Sequence, residues 1–227
     1  MLMTQRLAML AALAVALLAT GCASIPQPQP YDYAAFKKSN PASILVLPPT
    51  HATPNIRASD SVWAQVTFPL AESGFYVLPV TLVAESLRQN GVTLADEAHQ
   101  IPLNKLHEVF GADAVLYLNV TEYGTVYRVV ASETSVSVQA RLVDGLTGEL
   151  LWEGAARASS AEQQSQQQGL VSMLITAAVN QIISSVRDDS HPIAGLATRR
   201  LLSAGHGRAI LFGPRSPNHH AHVQGRR

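Results

Sequence analysis

Thr134-Ser135-Val136-Ser137-Val138-Gln139-Ala140-Arg141-Leu142 alternates apolar and polar residues without a break. Successive side chains of a strand point to opposite faces, so Val136, Val138, Ala140 and Leu142 form a dry face and Ser135, Ser137, Gln139 and Arg141 a wet one. Asp144-Gly145-Leu146-Thr147-Gly148 follows as a hairpin connection, and Glu149 to Ala155 returns with Leu150 and Trp152 in register for the core. On the other side, Ala114 to Tyr123 sets Leu116, Leu118 and Val120 against Tyr117, Asn119 and Thr121. Together these segments predict an antiparallel meander. Asn119-Val120-Thr121 also fits a glycosylation sequon, but its place in mid-strand makes it strand.

Further upstream the pattern changes. Ser43 to Leu47 is continuously apolar and closed by Pro48-Pro49, as expected of a strand buried on both faces. From Asp60, a candidate N-cap, Val62, Val66 and Leu70 recur at helical spacing until Gly74, with Pro69 expected to kink or shorten the helix. Phe75 to Leu78 reads as a second short strand, Thr81 to Gln89 as a helix stopped by Asn90-Gly91, and Leu103 to Phe110 as a helix stopped by Gly111. After the meander, Val171, Leu174, Ala178, Ile182 and Val186 share one helical face within Leu170 to Val186, too short and too polar to span a bilayer and suited to covering the sheet. The expected fold is therefore α/β: a single mixed sheet with a βαβα start and an antiparallel meander, covered by helices.

The 227 residues are 47% hydrophobic and 14% charged, with 14 Gly and 13 Pro, a composition of globular proteins. Equal numbers of basic and acidic residues, 16 each, leave no net field to attract nucleic acid, and no nucleic-acid partner is expected. The single cysteine excludes disulfide frameworks and multi-cysteine metal sites. That cysteine is Cys22, which stands directly after Arg6, an apolar run from Leu7 to Thr20, and Gly21. The run suits a signal-peptide h-region, and Ala19-Thr20-Gly21-Cys22 looks like a lipobox with Ala in place of the usual Leu at its first position. Cys22 is thus the candidate lipidation site, palmitate included, on which acyl chains at about 0.8 kcal/mol per buried methylene would anchor the chain. Ala23 in place of Asp after the cysteine favours the outer membrane. Ile25-Pro26-Gln27-Pro28-Gln29-Pro30 reads as an extended tether of about 15–20 Å at ~3.1 Å per residue. The expected organisation is signal peptide over 1–21, lipidated cysteine and tether over 22–41, globular domain over 42–189 and an Arg/His-rich, partly disordered segment over 190–227.

Enzyme signatures fail. His107-Glu108 lacks the second His of a zinc-protease helix, Gly205-His206-Gly207 lacks a third glycine, and neither a phosphate loop nor a Gly-x-Ser-x-Gly elbow occurs. No catalytic residue, cofactor or metal is expected. Residues 22–189 hold nine basic residues against sixteen acids, whereas 190–227 holds six Arg and no acid. With His219, His220 and His222, that tail is a candidate for phosphate, carboxylate or metal binding, against the plainer reading of a solvated end. The Gln- and Ser-rich stretch from Ala158 to Gly169 has none of the alternation that an inserted pore strand needs.

Asp32-Tyr33, Ala35-Phe36, Ser43 to Pro49, Pro69-Leu70-Ala71-Glu72 with Gly74, Tyr76-Val77 and Pro79-Val80 together resemble a family of bacterial outer-membrane lipoproteins typified by a neisserial genome-derived antigen. The resemblance continues through Gln89-Asn90-Gly91, Phe110-Gly111-Ala112-Asp113-Ala114, Leu116-Tyr117, Tyr123-Gly124, Thr147-Gly148, Leu151-Trp152 and Gly213-Pro214. It implies a fold similar to the TolB N-terminal domain and to the periplasmic domains of CsgG and LpoB, and it brings no catalytic residues. Two roles follow as expectations. One is a periplasm-facing outer-membrane scaffold or assembly factor, able to form a homo-oligomer, whose protein partner in an envelope transport or secretion complex would be a CsgG-type lipoprotein. The other is an LpoB-like regulator of a peptidoglycan-synthesis enzyme, which the short tether disfavours.

Overall fold

A computed structural model describes residues 31–127, 132–164 and 190–220. The chain opens with α1 (Ala34–Ser39), then β1 (Ser43–Val46) and the two-residue β2 (Thr50–His51). Two short helices, α2 (Ala58–Trp63) and α3 (Thr67–Glu72), lead to β3 (Tyr76–Val77). Next come α4 (Val80–Gln89), α5 (Ala95–His99) and α6 (Leu103–Phe110). The meander is β4 (Ala114–Tyr127), β5 (Ser132–Asp144) and β6 (Leu150–Ser159), followed by α7 (Ser160–Gln164) and, after an undescribed stretch, α8 (Ser190–Leu202).

The six strands form one mixed sheet in the order β3-β1-β4-β5-β6, with β2 also on β4. β1 pairs in parallel with β3 and β4, and the long strands pair antiparallel. The fold is thus the α/β arrangement expected from the sequence. Both crossovers carry helices, as parallel neighbours require. α4, α5 and α6 cover one face, where Leu45, Leu47, Val83, Leu87, Leu106 and Val115 are buried together. On the opposite face α8 packs against β5 and β6 and also touches α2 and α3.

Local chemistry accounts for the differences from the sequence reading. Pro48-Pro49 interrupts the first strand without ending its pairing: the prolines offer no N–H, and the chain returns to β4 at Thr50↔Asn119. Pro69 sits in the first turn of α3, where its missing N–H costs nothing, so the one helix expected from Asp60 is two. Asp60 lies inside α2 and does not cap it. A β-bulge between Val120 and Glu122 makes Thr121 an extra residue, which puts Glu122 on the wet face and lets Tyr123, 6% exposed, join the core. Strict alternation would have buried the carboxylate.

Packed residues occur on both sides of the span 42–189 expected for the globular domain. The described residues from Asp32 onward form one compact unit that includes α1, with Phe36 buried and edge-on to Phe75. Most of the C-terminal segment taken as a solvated end is also integral: Ile193, Ala194, Ala197, Leu201, Leu202 and Ile210 are all at most 5% exposed. The sheet's apolar face supplies the partner surface that a charge count of the tail cannot reveal. The helix expected over Leu170 to Val186 lies outside the described residues. Among those described, no helix is long and apolar enough to cross a membrane.

Candidate functional site

Cys22, the lipidation candidate, lies outside the described residues. His219 and His220 stand with ring centroids 5.6 Å apart, but His219 Nδ1 donates to the Phe212 carbonyl at 3.0 Å, and His222 is not described. Among the described residues no three His, Cys, Asp or Glu side chains are placed to hold a metal ion. Ser61 Oγ lies 2.8 Å from His191 Nδ1, and Gln65 Nε2 donates to the carbonyls of both residues at 2.9 and 3.0 Å. That set ties α2 to α8.

The residues quoted for the family resemblance are joints of the fold. Asp113 Oδ2 accepts the N–H groups of Ala42 and Ser43 at 3.0 and 2.9 Å and the Ser43 hydroxyl at 2.8 Å, fixing the start of β1 to the start of β4. Gly213 N–H donates to the Ser73 carbonyl at 2.8 Å, and Arg215 N–H to the Gly74 carbonyl at 3.1 Å. A Cβ on Gly213 would lie 2.5 Å from the Gly74 carbonyl oxygen, and one on Gly74 would overlap Ser216. Both positions therefore suit glycine, Gly213 because it lies against the Gly74 backbone and Gly74 because it lies against Ser216. Trp152 Nε1 donates to the Arg208 carbonyl at 3.0 Å, and Tyr33 Oη to that of Ala209 at 2.6 Å, so the strand and the N-terminal segment hold the returning tail.

What this construction leaves open is a cleft of about 570 Å³ between β6, the end of α8 and the turn at His206 to Ala209. Its wall includes Trp152, Gly154, Ala155 and Leu201, and its polar side chains include Arg141, Glu153, Arg200, His206 and Arg208. Gly154 has no side chain because the Trp152 ring occupies that space: a Cβ would come 2.5 Å from it. Arg200 closes one end, its Nη1 donating to the Arg157 carbonyl at 2.8 Å and its Nη2 to Glu162 Oε2 at 2.6 Å. The hydrogen bonds from Arg200 hold Glu162 below the usual carboxylate range and raise the guanidinium in return. On the wet face beside it, Arg157 meets Glu122 and Glu133 at 3.1 and 3.6 Å. The hydroxyl of Ser135, helped by Ser137 and Arg157 against partial burial, lowers the Glu122 pKa. This cleft was not anticipated from the sequence. The available signal was Gly154, a glycine within a strand pattern, which marks close approach of another group.

The family model described as "Putative lipoprotein GNA1162-like" matches residues 31–215. A Neisseria meningitidis serogroup B protein, "Putative lipoprotein NMB1124/NMB1162", is 42% identical over 200 residues, covering 88% of this chain and 93% of its own. The crystal structure of lipoprotein GNA1162 from Neisseria meningitidis is 45% identical with a TM-score of 0.52, covering 63% of this chain and 99% of that one. The PelC dodecamer structure from Paraburkholderia phytofirmans stands further off, at 16% identity and a TM-score of 0.41 over 71% of this chain and 88% of that one. Identity and coverage together place this chain in the GNA1162-like lipoprotein family.

Proposed function

We propose that the chain is a lipid-anchored, non-catalytic scaffold or assembly factor on the periplasmic side of the outer membrane, serving an envelope transport or secretion complex of CsgG type. The observation that carries this reading is Cys22. In a member of a lipoprotein family, the sole thiol stands immediately after a signal-type apolar run, where lipidation chemistry uses it. Ala23 following the cysteine supports the outer membrane as destination, and the Pro/Gln tether supports a body held close to the lipid.

Metabolic labelling with an azido-palmitate analogue tests the anchor: the wild type takes up label and Cys22→Ser does not. Equal labelling of the two would remove the basis of the proposal. Recovery from envelopes crosslinked in living cells tests the role, with enrichment of a CsgG-type lipoprotein expected from the wild type and lost from Cys22→Ser.

A further inference from the structure

The chain enters the body at the end of the sheet where β1 and β4 begin. There α1 crosses the sheet: Phe36 stands edge-on to Phe75, just before β3, and Ser39 Oγ donates to Asp144 Oδ2 at 2.6 Å, at the close of β5. The turn between β5 and β6 lies at the same end, with Gly145 N–H donating at 2.7 Å to the carbonyl of Asp113, which follows closely on Val109 of α6. Asp144 Oδ1 accepts the N–H groups of Leu146 and Thr147 at 3.1 and 2.8 Å and the Thr147 hydroxyl at 3.0 Å, so the turn is fixed. At its tip it carries Leu146, 74% exposed, where turn chemistry favours Gly, Asn, Asp and Ser. Val109, 60% exposed, and Leu150 at the start of β6 share that end. A single exposed leucine needs no explanation, whereas apolar side chains gathered on a fixed turn and on the helix end beside it do. Lys37 and Lys38 of α1 are exposed next to them and make no ion pair among the described residues. Of the acids nearby, Asp113 and Asp144 are held by hydrogen bonds within the fold and Glu108 by Lys105 at 2.7 Å, which leaves Glu149.

We propose that this end of the sheet rests on the lipid surface that holds the anchor, with Leu146, Leu150 and Val109 in the interface and Lys37 and Lys38 against lipid phosphates. The proposal rests on the reading of Cys22 as the anchored residue. Asp32 stands ten residues after Cys22, a reach of about 30 Å at ~3.1 Å per residue. β4 runs from Ala114 to Tyr127, about 40 Å at ~3.3 Å per residue, so a body standing on the far end of the long hairpin would hold Asp32 further from the lipid than the tether extends. The end that the chain enters is the one a short tether brings down. Apolar area buried in the interface and attraction of cations to anionic headgroups add to each other, and lysine stems lie along apolar surface while their ammonium groups stay among the headgroups.

Tryptophan emission in vesicles with brominated acyl chains reads the contact, because bromine quenches only rings that enter the bilayer. The full chain is coupled through the thiol of Cys22, its only cysteine, to a maleimide-bearing lipid in vesicles of brominated phosphatidylethanolamine and phosphatidylglycerol. Coupling holds it there whether or not a cell acylates Cys22, so failure of the palmitate label strikes the anchor and leaves the quench readable. Above the background of Trp63 and Trp152 in the wild type, Leu146→Trp and Val109→Trp should each add emission that bromination lowers at least about twofold, whereas the emission added by Val126→Trp, exposed near the far end of β4, should be unchanged. Lys37→Glu together with Lys38→Glu should reduce the quench of Leu146→Trp by at least about half. Added emission that bromination leaves unchanged at position 146 or 109 overturns the proposal, and so does equal quenching of Val126→Trp. An undiminished quench after both lysines are replaced overturns the contact with lipid phosphates. If Leu146→Trp alters the circular dichroism spectrum, Val109→Trp decides by the same criterion.

Discussion

At the scale of single residues, stability rests on a few close approaches and buried partners. Gly74, at φ +94°, and Gly213 meet backbone to backbone, and Gly213→Ala would force the tail off the Gly74 carbonyl. The expected cost is about 1–3 kcal/mol, read as a lower urea midpoint with an unchanged slope. His99 gives the fold a pH response. Its Nε2–H donates to the Pro48 carbonyl at 2.9 Å and its ring stands edge-on to Tyr117, 5.1 Å between centroids. Burial lowers the His99 pKa from the ordinary 6.5, outweighing the Pro48 hydrogen bond. A depressed histidine binds its proton later in the folded than in the unfolded chain, so its contribution is complete above pH 6.5 and is lost as pH falls toward the folded value. Glu122, Asp144 and Glu162, whose pKa values are also lowered, act only further into acid. Thermal melts from neutral to mildly acidic pH should show the wild-type midpoint falling below about pH 6.5 and His99→Gln falling less steeply.

At the scale of elements, α8 is the test of how the second face is closed. Its buried positions Ile193, Ala194, Ala197, Thr198, Leu201 and Leu202 recur at helical spacing, while Arg199 and Arg200 point outward. Leu202→Ala, at a fully buried site, should destabilise by ~2–5 kcal/mol in urea melts. Arg199→Ala, which loses a contact over the exposed Phe68 ring at 5.7 Å, should cost less than about 1 kcal/mol. Equal effects would mean that α8 does not close the sheet. The bulge in β4 belongs to the same scale. One inserted residue, Thr121, reverses the face of everything beyond it, which is how a strand that continues to Tyr127 keeps both Val120 and Tyr123 in the core.

At the scale of the whole molecule, local signals and long-range contacts divide the outcome. Alternation in Thr134 to Leu142, the continuous apolar run from Ser43 to Leu47, and the glycine stops at Gly91 and Gly111 were readable because period and backbone preference are properties of neighbouring residues. The α/β class followed from them. The apolar run before Cys22 is equally local, and it is the basis of the proposed anchor. The tail was misread for the converse reason. Between Ser190 and Arg215 the apolar residues recur at helical spacing and then run together from Ala209 to Phe212, but a count of Arg, His and Gly passes over that pattern and suggests a solvated end. Burial is decided by whether another surface is open to receive those residues, and the face of β5 and β6 was open. The same holds for Gly74 with Gly213 and for Asp113 with Ser43, whose quoted motifs showed that these positions mattered without showing that they touch. The cleft beside β6 is likewise a product of assembly, because its walls come from β5 and β6, from α8 and from the turn after it. Sequence by itself determined the elements and the fold class, since hydrophobic period acts within a few residues. Only the tertiary structure decided how far the packed body extends, the joints between motifs and the cleft beside β6, since these depend on surfaces that exist once distant segments have packed.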